Sequence, residues 1–121
     1  MQTQKFNIRV EDSYISERKR TSKNNSYVIV KISAIGKEKK FNLDLDEFVL
    51  KGKKNNYVPS MKYYYYFTDI GRGYRNNILS TDGYTQYILV YNIKNDDIKK
   101  RFVINYIWNN RKIKITPGTL K

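Results

Sequence analysis

The chain contains no cysteine and no histidine. The first absence removes disulfides, thiolate nucleophiles and Cys/His zinc sites. The second removes the imidazole that serves as a general base near neutral pH. No apolar run reaches the roughly 18 residues a bilayer-spanning helix requires. The opening Met1-Gln2-Thr3-Gln4-Lys5-Phe6 lacks the apolar stretch of a signal peptide. Acidic residues are also scarce, at 11 against 24 Lys and Arg, giving a formal charge of +13. Two readings of that excess stand side by side: an anionic partner, or the Lys-, Asn-, Ile- and Tyr-rich usage of an AT-rich genome.

Tyrosine, with 12 copies, is plentiful. So are short β-branched and aromatic runs. At 121 residues the chain has the length of one domain, taken here as residues 1–121, with enough mass for a single core. Tyr84–Ile93 has the density of a strand covered on both sides, with Tyr87, Leu89, Tyr91 and Ile93 on the core face and Ile88 and Val90 on the other. Phe6–Val10 alternates as a first strand, and Tyr14 and Ile15 continue it beyond a kink. Ser16–Ser26 reads as a solvated loop.

Tyr27–Ile35 is the second strong strand, and Gly36–Lys40 a polar turn. Phe41–Leu45 alternates again until Asp46-Glu47 interrupt it. Phe48–Leu50 begins a hairpin whose tip is Lys51–Asn56, with Tyr57-Val58 returning as far as Pro59. Tyr63–Phe67, five aromatics in a row, reads as a strand with Tyr64 and Tyr66 on its exposed side. Gly71–Asn77 is a loop, and Ser80–Gly83 a turn. Asp97 is expected to cap a short helical turn through Lys100. Phe102–Trp108 is a last core strand, Asn109-Asn110 a hairpin, and Arg111–Ile115 a basic edge strand whose lysines discourage edge-to-edge pairing. No stretch shows helical periodicity over the usual length. Turn signals recur at the spacing of sandwiches and barrels.

The fold class read from this pattern is all-β, an immunoglobulin-like antiparallel β-sandwich of about seven to nine strands. Its predicted core is Ile8, Val10, Val28, Val30, Ile32, Leu43, Phe48, Leu50, Tyr87, Leu89, Tyr91, Ile104, Tyr106 and Trp108.

Four segments, in order, carry a family likeness: Tyr27–Ile35, the hairpin Phe41–Pro59, Ile78–Ile93 and Phe102–Tyr106. Together they resemble the telokin-like, immunoglobulin-type domain of unknown function found in bacterial secreted proteins and lipoproteins, especially of Gram-positive species. The resemblance covers about three quarters of the chain on a hydrophobic pattern. It implies a β-sandwich without enzyme activity in an extracytoplasmic setting, and it transfers no catalytic residue. No lipobox cysteine precedes the domain, so a leader or anchor is expected outside this sequence.

The expected function is therefore a non-enzymatic interaction domain of a surface lipoprotein or membrane-anchored assembly. Its expected partner is a protein or an anionic cell-envelope polymer, with peripheral contact to lipid headgroups. No catalytic, cofactor or metal residue is expected. Asp44 and Asp46, expected on the same side of an extended strand and pointing to solvent, read with Glu47 as surface carboxylates, since no calcium loop surrounds them. Gly71-Arg72-Gly73 lacks the lysine ending and following helix of a phosphate loop. The interaction candidates are Tyr63, Tyr64, Tyr66, Arg72, Tyr74, Arg75, Lys99, Lys100 and Arg101. The basic clusters Arg18–Arg20, Lys37–Lys40, Lys51–Lys54, Lys99–Arg101 and Arg111–Lys114 sit mostly at loop tips. The alternative is a small, basic, OB-like barrel that binds nucleic acid in the cytoplasm, its bases stacked on the tyrosine run. A third reading is a glycan-binding accessory module using Tyr64, Tyr66 and Trp108.

Overall fold

A computed structural model describes residues 5–16, 24–108 and 110–115. The cluster Arg18–Arg20 and the terminal Thr116-Pro117-Gly118 lie outside these. The fold is predominantly β, with every strand pairing antiparallel. Among the described residues no helix is long and apolar enough to cross a membrane.

The centre is a three-stranded sheet in the order β1-β2-β7, made of β1 (Phe6–Ile15), β2 (Asn25–Gly36) and β7 (Thr85–Lys94). β2 and β7 run together from Asn25 opposite Lys94 to Ala34 opposite Thr85. In that register Val28, Val30 and Ile32 share a face with Tyr87, Leu89 and Tyr91. Tyr27 and Ile29 share the other face with Ile88 and Val90. All ten are buried, because both faces are covered. β1 carries the expected kink as a bulge between Val10 and Asp12. The extra residue flips the alternation. Phe6 and Ile8 enter the main core, whereas Tyr14 beyond the bulge packs against the opposite cluster.

The main core lies between this sheet and a second one in the order β5-β4-β8-β9. Its strands are β4 (Phe48–Lys51), β5 (Asn56–Tyr57), β8 (Val103–Trp108) and β9 (Arg111–Ile115). Phe48, Leu50, Ile104, Tyr106 and Ile115 point inward. Phe48 and Tyr106 stack with ring centroids 4.6 Å apart. The two sheets are also joined by a buried hydrogen bond, in which the Tyr91 hydroxyl donates to the Phe48 carbonyl at 2.8 Å. Such a bond contributes about 1 kcal/mol net, and more is lost if the buried carbonyl is left without a donor. Burial pushes the Tyr91 hydroxyl well above its ordinary pKa. A small sheet of β3 (Asn42–Asp44) and β6 (Asn76–Ile78) closes one end.

Twelve of the fourteen predicted core residues are fully buried. Val10 and Trp108 are the exceptions, both partly buried against the core. The Trp108 ring rests on Phe6 at 5.6 Å and Phe41 at 6.2 Å, at the rim rather than in the middle.

Three local expectations are corrected. The aromatic run is not a strand: α1 (Met61–Tyr64) passes into a 3-10 turn, Tyr65–Phe67. Met61, Tyr64, Phe67 and Ile70 recur every third residue and all face the outer side of β2 and β7. That side presents Tyr27, Ile29, Ile88 and Val90. Burying each such side chain is worth roughly 1.5–3 kcal/mol, far more than one added ladder hydrogen bond, so the segment coils to cover them. Asp97 is not a helix cap. It ends the 3-10 turn Asn95–Asp97, and its side chain reaches the β4–β5 hairpin tip. Asp44 and Asp46 do not lie along one strand. Asp44 caps the 3-10 turn Leu45–Glu47 through the Asp46 backbone N–H at 2.9 Å, and Asp46 pairs with Arg75 at 2.8 Å. The solvated-loop boundary also moves, since Asn25 and Ser26 already belong to β2.

Candidate lysine cleft and tyrosine surface

The outer face of the β5-β4-β8-β9 sheet follows from its register. Lys51 stands opposite Val103, and Asn105 opposite Lys114. Because successive side chains alternate across a strand, placing Leu50, Ile104 and Ile115 inside puts Lys51, Val103, Asn105 and Lys114 outside. Lys53 joins them from the hairpin tip and Lys99 from the segment before β8, around a cleft of about 440 Å³. Among the described residues lining it, none is acidic and none is aromatic.

The hairpin tip that delivers Lys53 is organised from below by Asp97. This side chain is 2% exposed. Its carboxylate accepts from the backbone N–H groups of Lys54 and Asn55 and from the Tyr57 hydroxyl, the last at 2.6 Å. The Lys53 N–H donates to the Asp97 carbonyl at 3.0 Å. The Tyr57 hydrogen bond, with help from the two N–H donors, holds the Asp97 carboxyl down to about 2. Burial, and then this same hydrogen bond, raises the Tyr57 hydroxyl above its ordinary value. Gly52 must be glycine for contact reasons: a Cβ there would stand 2.7 Å from an Asp97 carboxylate oxygen and 2.8 Å from its carbonyl oxygen.

The predicted interaction residues fall on different parts of the molecule. Lys99 enters the cleft, while Lys100 and Arg101 are exposed outside its lining. Tyr63 is half-buried against Tyr27, with ring centroids 5.5 Å apart. Tyr64, expected on the exposed side, is buried. Its hydroxyl donates to the Gly71 carbonyl at 3.0 Å. Tyr66 is exposed and leans on Tyr27 at 6.2 Å. Tyr74 and Arg72 are exposed on the loop beside Tyr64, and Arg75 is engaged with Asp46. Tyr64, Tyr66 and Trp108 therefore share no surface, since Trp108 belongs to the main core on the far side of the central sheet.

Sequence reasoning missed Lys51, Lys53 and Lys114 as a group with Lys99. It placed their clusters at separate loop tips, and only the β4–β8–β9 register brings them together. It also missed Tyr65, the most exposed member of its run.

A second cavity of about 430 Å³ is lined by Asn24, Asn25, Lys94, Asn95 and Asp96. Its amides are occupied structurally: Asn25 donates to Asn92 at 3.1 Å and Ser26 to Asn95 at 2.5 Å.

Comparison with protein families, curated proteins and solved structures finds no match for this chain. The telokin-like resemblance rests on its hydrophobic pattern alone.

Proposed function

We propose that this chain is a non-enzymatic interaction domain that holds an anionic polymer in the lysine cleft of the β5-β4-β8-β9 sheet. The reading extends to an immunoglobulin-like sandwich working outside the cytoplasm, as part of a surface-anchored protein. Opposed antiparallel sheets support the sandwich. The lack of any imidazole or thiol supports a binding role over a catalytic one.

The observation that carries the proposal is the convergence of Lys51, Lys53, Lys99 and Lys114 on one surface lined by no described carboxylate. Four like charges around one cleft repel one another, and a polyanion relieves that repulsion. The ligand class follows from what lies between the lysines. A single-stranded nucleic acid needs aromatic rings on which its bases stack. The cleft offers Val103, Asn105 and the lysine stems instead, which suits a phosphodiester backbone without bases.

The test is retention on immobilised poly(glycerol phosphate) across a NaCl series, beside an oligo(dT) column. Wild type is expected to elute at progressively lower load as salt rises. The double substitution Lys51→Glu with Lys114→Glu is expected to weaken retention at least tenfold while leaving the fold intact by circular dichroism. Unchanged retention by that variant would overturn the proposal. Tighter binding of wild type to oligo(dT) than to the glycerol polymer would transfer the cleft to nucleic acid.

A further inference from the structure

On the opposite side of the molecule, beyond the central sheet, large aromatic side chains stand in solvent. Tyr65 is 68% exposed and Tyr74 55%. Both flank the buried ring of Tyr64, with centroids at 6.3 Å and 6.1 Å. A lone exposed tyrosine needs no explanation. Two set on one buried ring form a surface. We propose that Tyr65 and Tyr74, mounted on Tyr64, are a stacking platform for the pyranose rings of a neutral polysaccharide. This goes beyond the polyanion reading, because it concerns a different face and a different ligand.

The mounting is rigid. Phe67 is fully buried beneath the segment, and the Tyr64 hydroxyl is bonded to Gly71. Gly73 lies flat on the Tyr64 ring, so closely that a Cβ would come within 2.5 Å of it. The loop carrying Tyr74 is pinned to β7 where the Ile88 N–H donates to the Arg72 carbonyl at 2.7 Å. The segment's own start is pinned where the Ser60 N–H donates to Val90 at 3.2 Å. A backbone held in place before binding leaves only the two tyrosine side chains to order when a ligand arrives, which keeps the entropy cost low.

The local charge selects the occupant. A tyrosine face is electron-rich and apolar, the complement of the C–H face of a sugar ring, and its hydroxyl remains available at the rim. A polyphosphate or nucleic acid would require several cations beside the rings. Here the Lys62 ammonium lies over the Tyr63 ring at 5.7 Å, and Arg75 is paired with Asp46. Arg72, two residues before Tyr74, is exposed, a polar donor of the kind that orients a hydroxylated ligand.

Native affinity electrophoresis through gels containing hydroxyethyl cellulose, a soluble (1→3)-β-glucan or dextran tests this directly. Wild type is expected to be retarded by at least one of the three. Tyr65→Ala with Tyr74→Ala is expected to reduce that retardation at least fivefold, with the melting temperature nearly unchanged because both side chains are exposed. Tyr65→Phe with Tyr74→Phe, which keeps the rings, is expected to retain most of the binding. Lys51→Glu with Lys114→Glu is expected to leave it untouched, so this proposal and the polyanion proposal fail separately. No retardation in any gel would overturn the platform, as would equal retardation of the double alanine variant. Two further outcomes would also overturn it. One is a wild-type dimer in sedimentation that the alanine pair converts to monomer. The other is loss of oligo(dT) binding in the alanine pair.

Discussion

The Asp97 carboxyl titrates at about 2 against an ordinary 3.8, because three donors from the hairpin tip stabilise its charged form. A carboxyl whose pKa is lower folded than unfolded stabilises the fold fully above the unfolded value. That stabilisation fades as pH falls from about 3.8 and is gone below about 2. Asp97→Asn has no charge to lose. It is expected to be less stable than wild type near neutral pH and to show a flatter decline through that acid window, measured as urea midpoints against pH. Parallel curves for the two proteins would refute the account. In the sequence Asp97 looks like a turn residue beside Asn95 and Asp96. Its true partners, Lys54, Asn55 and Tyr57, lie some forty residues earlier, and no local pattern links them.

At the scale of elements, the strands were legible because alternation is a local signal. Val28, Val30 and Ile32 announce one face of β2, and Tyr87, Leu89 and Tyr91 one face of β7, with burial on both sides evident from the apolar residues between them. The run Tyr63–Phe67 reads as a strand, against the observed helical turns, for a physical reason. Five consecutive aromatics satisfy any period, and strand propensity favours aromatics. The informative residues were the flanking ones, Met61 and Ile70, which extend Tyr64 and Phe67 into a threefold repeat. What settles the conformation is the apolar outer face of β2 and β7, which is tertiary information. Gly73→Ala tests how firmly this cover is seated. Its methyl would collide with the Tyr64 ring, and overpacking of this kind costs about 1–3 kcal/mol. The expected signature is a lowered urea midpoint together with increased near-ultraviolet tyrosine disorder. A midpoint equal to wild type would mean that the Tyr64 ring gives way freely.

For the molecule as a whole, 24 basic residues against 11 acidic leave a formal charge of +13. Raising NaCl from about 10 mM to about 150 mM shortens the screening length from roughly 30 Å to roughly 8 Å. Relief of self-repulsion by about 1 kcal/mol corresponds to a rise of about 4 °C in Tm for a domain of this size. That rise is the expected result of differential scanning fluorimetry in chloride alone. A flat or falling Tm would show that the basic groups are already balanced by local acidic neighbours. Composition revealed this charge at once. It did not reveal the lysine cleft, because Lys51, Lys53, Lys99 and Lys114 come from three separated segments that only strand register assembles.

Along Tyr27–Val30 and Tyr87–Tyr91, β2 and β7 meet protein on both faces, so these tracts have no skin of their own. They act as a partition, and whatever happens on one flank of the molecule is insulated from the other. Either outer surface can then be rewritten, by selection or by an engineer, without renegotiating its counterpart. The tracts Val28–Ile32 and Tyr87–Tyr91 are where such freedom stops.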